Sequence, residues 1–521
     1  MRYNKNTEVL EVENHQGGTG VKLDPKFELI GILATGFNDN FYESLGQRET
    51  RFVELIKQLA KKDIEFLAKA LVYTRTVTGQ RSVTHFGATH LAKFLSGNPI
   101  AKRFFTKRDR KENSGGIIYR LDDILEIIAC YQHFNPEKPL PAAMKRGFKL
   151  ALETADKYEL AKYQGKGKKV SLVDVVNLVH PKPSKGMEST FKLLMTGELK
   201  QFNTVEDKNT SAGKEVASKL KAGELTQAEA AVELQEAKED NYRELIESGK
   251  IGYLALIRNL RNILNNTKDS KLVDSACGLL TDQKLVRKSL VFPHQIDLAL
   301  EILLLEVPTS ANRNKIVKAL DQAYELAIPN LTELFPFGRT AIVFDTSASM
   351  TSYKCQVNGK TIEKAPIEKA ALIAATLAKG IAADVYHFAS GCVSLNYNPN
   401  DSVNTLKQGF MNHIGEIGHG TEFGSIFNTL MQNGKYDRVF VISDMQGGDS
   451  IMHQSPYQSY CKKYGLPYIY SLNPVGYSTT MFKPTNKLIQ LFGYSADIYE
   501  YIKRAEIDPK AILKEIEKIK I

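Results

Sequence analysis

Thr340-Ala341-Ile342-Val343-Phe344-Asp345-Thr346-Ser347-Ala348-Ser349-Met350 decides how this 521-residue chain is read. Four apolar residues run without a break and give way to Asp345, with Ser347 and Ser349 at alternate positions after it. An apolar run without polar alternation fits a strand buried on both faces of a parallel sheet. The polar residues then lie beyond its carboxyl end, where open α/β sheets bind ligands. One carboxylate and two hydroxyls converging there form an oxygen set for one hard dication, Mg2+ first, with Mn2+ or Ca2+ as alternatives. The local alternative is an Asp that only caps the helix after it.

Two further loops follow in order. Gly418-His419-Gly420-Thr421 precedes a helical stretch, and the apolar run Val439-Phe440-Val441-Ile442 ends in Ser443-Asp444. Together the three loops resemble the metal-ion-dependent adhesion site of von Willebrand factor A domains. That resemblance implies Asp345, Ser347, Ser349, Thr421 and Asp444 as ligands of the cation, some of them through water. His413 and His419 lie near Thr421, but imidazole suits softer ions and neither is included. Strands over 340–344, 384–388, 438–443 and 467–472 alternate with helices after Pro366 and over 421–431, the pattern of a doubly wound parallel sheet. A charged helix, Ile512 to Ile519, ends this region, which opens after the turn Pro336-Phe337-Gly338.

Upstream the spacing is helical. Leu55, Leu59, Ile64, Leu67, Ala68 and Leu71 recur at three- and four-residue intervals, with Asp63 placed to begin a second helix. The same spacing predicts helices over 82–95, 119–134, 140–160, 188–196, 251–265, 294–305 and 311–327. In the last, Ile316, Ala319, Leu320, Ala323, Tyr324 and Ala327 form one stripe. Successive amphipathic helices with few strand signals suggest stacked pairs of the HEAT type. Residues 197–250, rich in Lys, Glu and Ala, read as a charged insertion facing solvent.

Composition narrows the function classes. A net charge of +10 favours an anionic partner, nucleic acid first. The polar start Met1-Arg2-Tyr3-Asn4-Lys5 lacks the apolar core of an export signal, and the most apolar helix, Leu298 to Leu305, is interrupted by Glu301. A soluble, cytoplasmic protein without a membrane partner is expected. Cys130, Cys277, Cys355, Cys392 and Cys461 form no C-x-x-C pair, so neither a disulfide framework nor a thiolate metal site is expected. His15-Gln16-Gly17-Gly18-Thr19-Gly20 reads as a turn rather than a phosphate loop, since no Lys-Ser or Lys-Thr follows at the required spacing. Gly359-Lys360-Thr361 mimics a P-loop's end, but Lys stands at 354 where Gly is needed.

Lys and Arg exceed Asp and Glu over residues 101–170, in clusters at 102–111, Lys145-Arg146 and 162–169. Phe104, Phe105 and Tyr163 interleave them, either as base-stacking rings or as core anchors.

The helix ending in His180-Pro181-Lys182-Pro183, after Ala161-Lys162-Tyr163-Gln164, resembles the corresponding stretch of the Ro ribonucleoprotein family, whose TROVE module is a helical-repeat ring. Asn14 to Gly18, Leu23-Asp24-Pro25-Lys26, Phe41-Tyr42-Glu43-Ser44, Arg258-Asn259-Leu260-Arg261-Asn262 and the Asp345 to Met350 loop are similar to bacterial Ro-type sequences. The resemblance implies an α plus α/β chain: a TROVE module of HEAT-like repeats over 1–335 and a von Willebrand factor A-like domain over 336–521. It implies a non-catalytic, monomeric RNA-binding protein acting in RNA quality control. Its expected ligands are small noncoding Y-like RNAs on a basic outer surface and single-stranded ends of misfolded RNA in the ring, and its expected protein partner is a 3′-to-5′ exoribonuclease. Lys162, Lys166 and His180 fall on the positions implied to contact Y RNA. Lys166 stands where vertebrate relatives carry Arg, so a point charge replaces a bidentate donor.

Two other readings compete. In a metal-dependent protein-adhesion scaffold the ion captures a partner's carboxylate, which accounts only for the C-terminal third. A metal-dependent hydrolase lacks the two-metal arrangement usual for phosphodiester cleavage.

Overall fold

Ala341, Ile342, Val343 and Phe344 are wholly buried in the strand Thr340–Asp345, near the middle of a six-stranded sheet. The structure is a computed structural model describing all residues except 1–9, 38, 200–204, 268, 290, 292, 328–334, 336, 352–353, 358–359, 364, 382, 449–454 and 494–496. The polar start, the turn residue at 336 and the glycine at 359 therefore lie outside the described residues. The strands run Leu488–Phe492, Tyr468–Asn473, Arg438–Ile442, Thr340–Asp345, Ala383–Phe388 and Cys392–Leu395 across the sheet. Five are parallel; Cys392–Leu395 returns antiparallel along Ala383–Phe388 as the edge.

From Thr340–Asp345 the chain goes to Ala383–Phe388 on one side and later to Arg438–Ile442 on the other, so the order reverses between the 340 and 438 strands. Phe344 lies opposite Ile442, which brings Asp345 and Ser443-Asp444 out together at that switch point. Alternate residues face opposite layers. Ala341 and Val343 join Phe423, Phe427, Tyr457 and Tyr460 in one core, while Phe344 stacks on Phe410 on the other side, ring centroids 5.5 Å apart.

This sheet belongs to a compact unit of Met1–Gly197 with Asn330–Ile521; Glu198–Pro329 form the second unit. Short strands distant in sequence tie the first unit together: Glu11–Glu13 pairs with Thr19–Lys22, which pairs with Thr479–Thr480. Arg48, in the helix Leu45–Lys62, is fully buried and donates to the carbonyls of Gly36 at 2.7 Å and Val475 at 2.9 Å. Arg51 adds Gly476 O at 3.1 Å, and Glu43 accepts from both guanidiniums. Gly476 has φ 80°, and a Cβ there would lie 2.8 Å from Gly31 O, so the close approach needs glycine.

The expected helices form, with one difference of substance. The pattern over 140–160 is two helices, Ala142–Glu153 and Lys157–Lys162, because Asp156 caps the second by accepting from Glu159 N at 2.8 Å. Phe104 and Phe105 are wholly buried and meet edge to face at 4.9 Å, which makes them core anchors.

The second unit contains Val205–Lys221, Gln227–Glu247, Tyr253–Asn266, Ser270–Leu280, Gln283–Ser289, Pro293–Glu306 and Ala311–Ala327. Within the segment read as an insertion, Gln227–Glu247 buries Tyr242, Leu245 and Ile246, and Arg243 meets Asp269 at 2.7 Å. Ile316, Ala319, Leu320, Ala323 and Tyr324 are buried as one stripe. Among the described residues no helix is long and apolar enough to cross a membrane.

Candidate functional sites

The sheet edge brings the five oxygen-bearing residues of the three loops to one cleft. Asp345 and Asp444 are fully buried, and Ser347, Ser349 and Thr421 are at most 3% exposed. Asp345 Oδ1 accepts from Ser347 N at 2.8 Å and Oδ2 from Ser443 Oγ at 2.6 Å, so the loop folds back on its own carboxylate. The hydroxyls of Ser347 and Ser349 are 3.4 Å apart. Asp444 Oδ1 accepts from Gln446 N at 3.0 Å, whereas its Oδ2 is buried without a hydrogen-bond partner. The Thr421 loop lies against Ser390: a Cβ on Gly418 would come within 2.7 Å of Ser390 Oγ, which also accepts from Gly420 N at 3.0 Å.

Burial pushes both carboxyls above the ordinary range, and the charge of Asp345 raises Asp444 further. Two acids desolvated side by side disfavour full ionisation, and a dication between them reverses that penalty. The unsatisfied Asp444 Oδ2 and the two serine hydroxyls fit such an ion. All five donors are oxygens, which suits Mg2+, Mn2+ or Ca2+.

Residues far upstream complete the cleft and escaped the sequence reading. Asn14 Nδ2 donates to Gly447 O at 2.8 Å, His15 N to Gln446 Oε1 at 3.0 Å and Gln16 Nε2 to Thr421 Oγ1 at 3.1 Å. Gln16 Oε1 is a second buried acceptor without a partner. Tyr42 stacks on His15 with ring centroids 5.5 Å apart, and its phenol is raised by burial and then by the Asp444 charge. The segment read as a flexible turn therefore covers the candidate ion site. Its only sequence signal was the family likeness of Asn14 to Gly18 and Phe41 to Ser44, which names no role.

The carbonyl of His419 accepts from Ala348 N at 3.1 Å, and the residue is exposed. His413 meets Glu416 at 2.5 Å, and Glu416 lies 3.6 Å from buried His387. These three side chains are able to hold an ion of their own. His387 was not singled out in the sequence, since it stands 26 positions before His413.

The basic candidates occupy one capped segment. Lys162 ends Lys157–Lys162, exposed, its Nζ 3.0 Å from Tyr158 Oη. Lys166 is exposed in the next loop and donates to Gly197 O at 3.0 Å. Ser171 opens Leu172–Val179 with a capping box on Asp174, and His180 closes it in a left-handed conformation, φ 47° and ψ 64°. Arg120 covers the ring of Tyr163 at 4.9 Å, so that ring already has a cationic partner.

Comparison with known proteins gives a family-model match and structural matches. A family model described as TROVE domain matches residues 228–319. The crystal structure of Deinococcus radiodurans RO (RSR) protein superposes with a TM-score of 0.52 at 16% identity, covering 93% of this chain and 100% of that chain. No curated protein matches the sequence. The structural likeness extends over both units, and the TROVE match lies within the second, including part of the segment read as an insertion. Residues 228–319 thus match the TROVE domain, and the chain shares its fold with the Deinococcus radiodurans RO (RSR) protein.

Proposed function

We propose that this is a non-catalytic RNA-binding protein of Ro type, acting in the cytoplasm in RNA quality control or as a scaffold for a 3′-to-5′ exoribonuclease. Small structured Y-like RNA binds through Lys162, Lys166 and His180, and the protein also takes single-stranded ends of misfolded RNA. One divalent cation, Mg2+ first, is held by Asp345, Ser347, Ser349, Thr421 and Asp444. The observation that carries the RNA reading is the exposure of Lys162, Lys166, Lys168, Lys169 and His180 in one short capped segment. Exposed lysines there gain from counterion release, and bonds such as that of Lys166 to Gly197 O reduce their freedom before RNA arrives.

A non-glycine residue held at φ 47° at a helix end supports a use for the imidazole, because glycine fits that backbone at less cost. His180→Gly is expected to leave the fold as stable or up to about 1 kcal/mol more stable, while RNA affinity falls. Urea unfolding and filter binding on the same variant separate the two effects. A loss of stability with unchanged affinity would make His180 a cap and nothing more.

Lys162→Ala with Lys166→Ala is expected to weaken binding of a stem-loop with a single-stranded 3′ tail by about tenfold and to lower the slope of log affinity against log salt by about two. Unchanged affinity and slope would remove this segment from the interface. RNA extracted from protein purified at moderate salt tests the wider reading: enrichment of one small structured RNA identifies the ligand, and RNA-free protein without affinity for such stem-loops overturns it. Capture of a partner's carboxylate at the cation is disfavoured by the cover, since Asn14 to Gln16 would have to leave first.

A further inference from the structure

His387, His413 and Glu416 lie outside the oxygen cleft and have no part in the RNA reading. We propose that they form a separate binding site for one borderline transition-metal dication, of the Zn2+ and Co2+ class. Their ligating atoms, one per residue, lie within 4.8 Å of one another.

The tautomer of His387 is the first argument. It sits at the carboxyl end of Ala383–Phe388 and is wholly buried. Its Nδ1 is 3.3 Å from Thr346 Oγ1, which itself lies 3.2 Å from Phe388 O as a donor. With the hydroxyl proton directed to that carbonyl, Nδ1 carries the ring proton and Nε2 presents a lone pair. That Nε2 is buried without a hydrogen-bond partner and faces Glu416 Oε2 at 3.6 Å. An outer hydrogen bond on one ring nitrogen and a bare lone pair on the other is the arrangement of a ligating histidine. Burial also lowers the His387 pKa, opposed by Glu416 and reinforced by His413, which favours the neutral ring a metal needs.

The turn after Val403–Met411 supplies the other two ligands. Glu416 N donates to His413 O at 3.2 Å, and this puts two side chains three residues apart on one side of the turn. His413 Nδ1 and Glu416 Oε2 are 2.5 Å apart. Their side chains are 38% and 51% exposed, which gives an ion a route in and room for water in a fourth position. Donors of a tetrahedral zinc site are about 3.3 Å apart, so small rotations of these two exposed side chains suffice while His387 stays fixed. Without an ion, His413 and Glu416 satisfy each other and His387 Nε2 is left over. Two imidazoles and one carboxylate select Zn2+ and late first-row ions over Mg2+ or Ca2+.

The test is titration of chelator-stripped full-length protein with Co2+ alone, read by visible d–d absorption and by calorimetry. One equivalent is expected to give a tetrahedral-type spectrum that Zn2+ abolishes and excess Mg2+ does not. His413→Ala and Glu416→Gln change exposed side chains, so both are expected to fold and to weaken Co2+ binding by about 100-fold or more. Asp444→Asn is expected to keep the signal. Co2+ affinity unchanged in both surface variants overturns the proposal, as does a signal lost in Asp444→Asn and kept in His413→Ala, which would place the ion in the oxygen cleft.

Discussion

Asp123→Ala is expected to lower the stability of the unit that contains the sheet by about 3–5 kcal/mol, the cost of leaving buried cations without their anion. Asp123 is fully buried at the start of Asp122–Phe134. It accepts from Arg75 Nη2 at 3.0 Å, Arg81 Nη2 at 3.2 Å, His85 Nε2 at 3.1 Å, Tyr119 N at 3.0 Å and Arg120 N at 2.9 Å. Arg75 is 4% exposed and has no water to turn to if this carboxylate is removed. Burial alone would raise the Asp123 pKa, but the His85 hydrogen bond and the Arg75 charge outweigh it and hold the carboxyl well below the ordinary range. A depressed folded-state value means the contribution is present in full above the unfolded value near ~3.9 and is lost as pH falls toward the folded one. Denaturant unfolding of wild type and variant between pH 7 and pH 3 checks both the size and the sign. A deficit below about 1 kcal/mol at pH 7 would mean that Arg75 re-pairs with another acid.

How much of this was readable depends on where the partners of each residue lie along the chain. Strands 340–345 and 438–442 announce themselves because burial on both faces demands unbroken apolar runs, and their terminal acids stand out for the same reason. The edge strand Cys392–Leu395 escaped because two of its four residues are exposed and its pattern is short. Leu488–Phe492 carries a central Gln490 that blurs an otherwise buried strand. The cover on the oxygen cleft was illegible in a different way. Gln16 and Thr421 are 405 residues apart, and no local period or spacing encodes such a pairing. Phe104 and Phe105 show the converse: a basic cluster with aromatics fits two readings until burial is known, and here both rings are core. The break at Thr154 to Asp156 was present in the sequence as an Asp three residues before Glu159, a helix start that the longer apolar period masked.

Asp444→Asn is expected to change stability in opposite directions with and without divalent cation, and this crossing is the signature of the oxygen cleft. In excess chelator, wild type buries Asp345 and Asp444 near each other, with Asp444 Oδ2 unsatisfied. Replacing one carboxylate by a neutral amide removes the mutual repulsion and keeps an oxygen for Gln446 N, so the variant is expected to melt at or above the wild-type temperature. With Mg2+ at a hundred times its dissociation constant, wild type gains about 2.7 kcal/mol, and the variant gains little because it has lost a charged ligand. The two melting curves therefore exchange order between chelator and Mg2+, which a purely structural hydrogen bond could not produce. The cover adds a second readout. Gln16 bonds to Thr421 and His15 to Gln446, two residues past Asp444, so an ion that orders the cleft also orders the segment over it. Mg2+ is expected to slow amide exchange at residues 14–18 in wild type and not in Asp444→Asn. A variant less stable than wild type by the same amount in both conditions, with exchange at 14–18 indifferent to Mg2+, would reduce Asp444 to a structural residue and take the cation out of the proposed function.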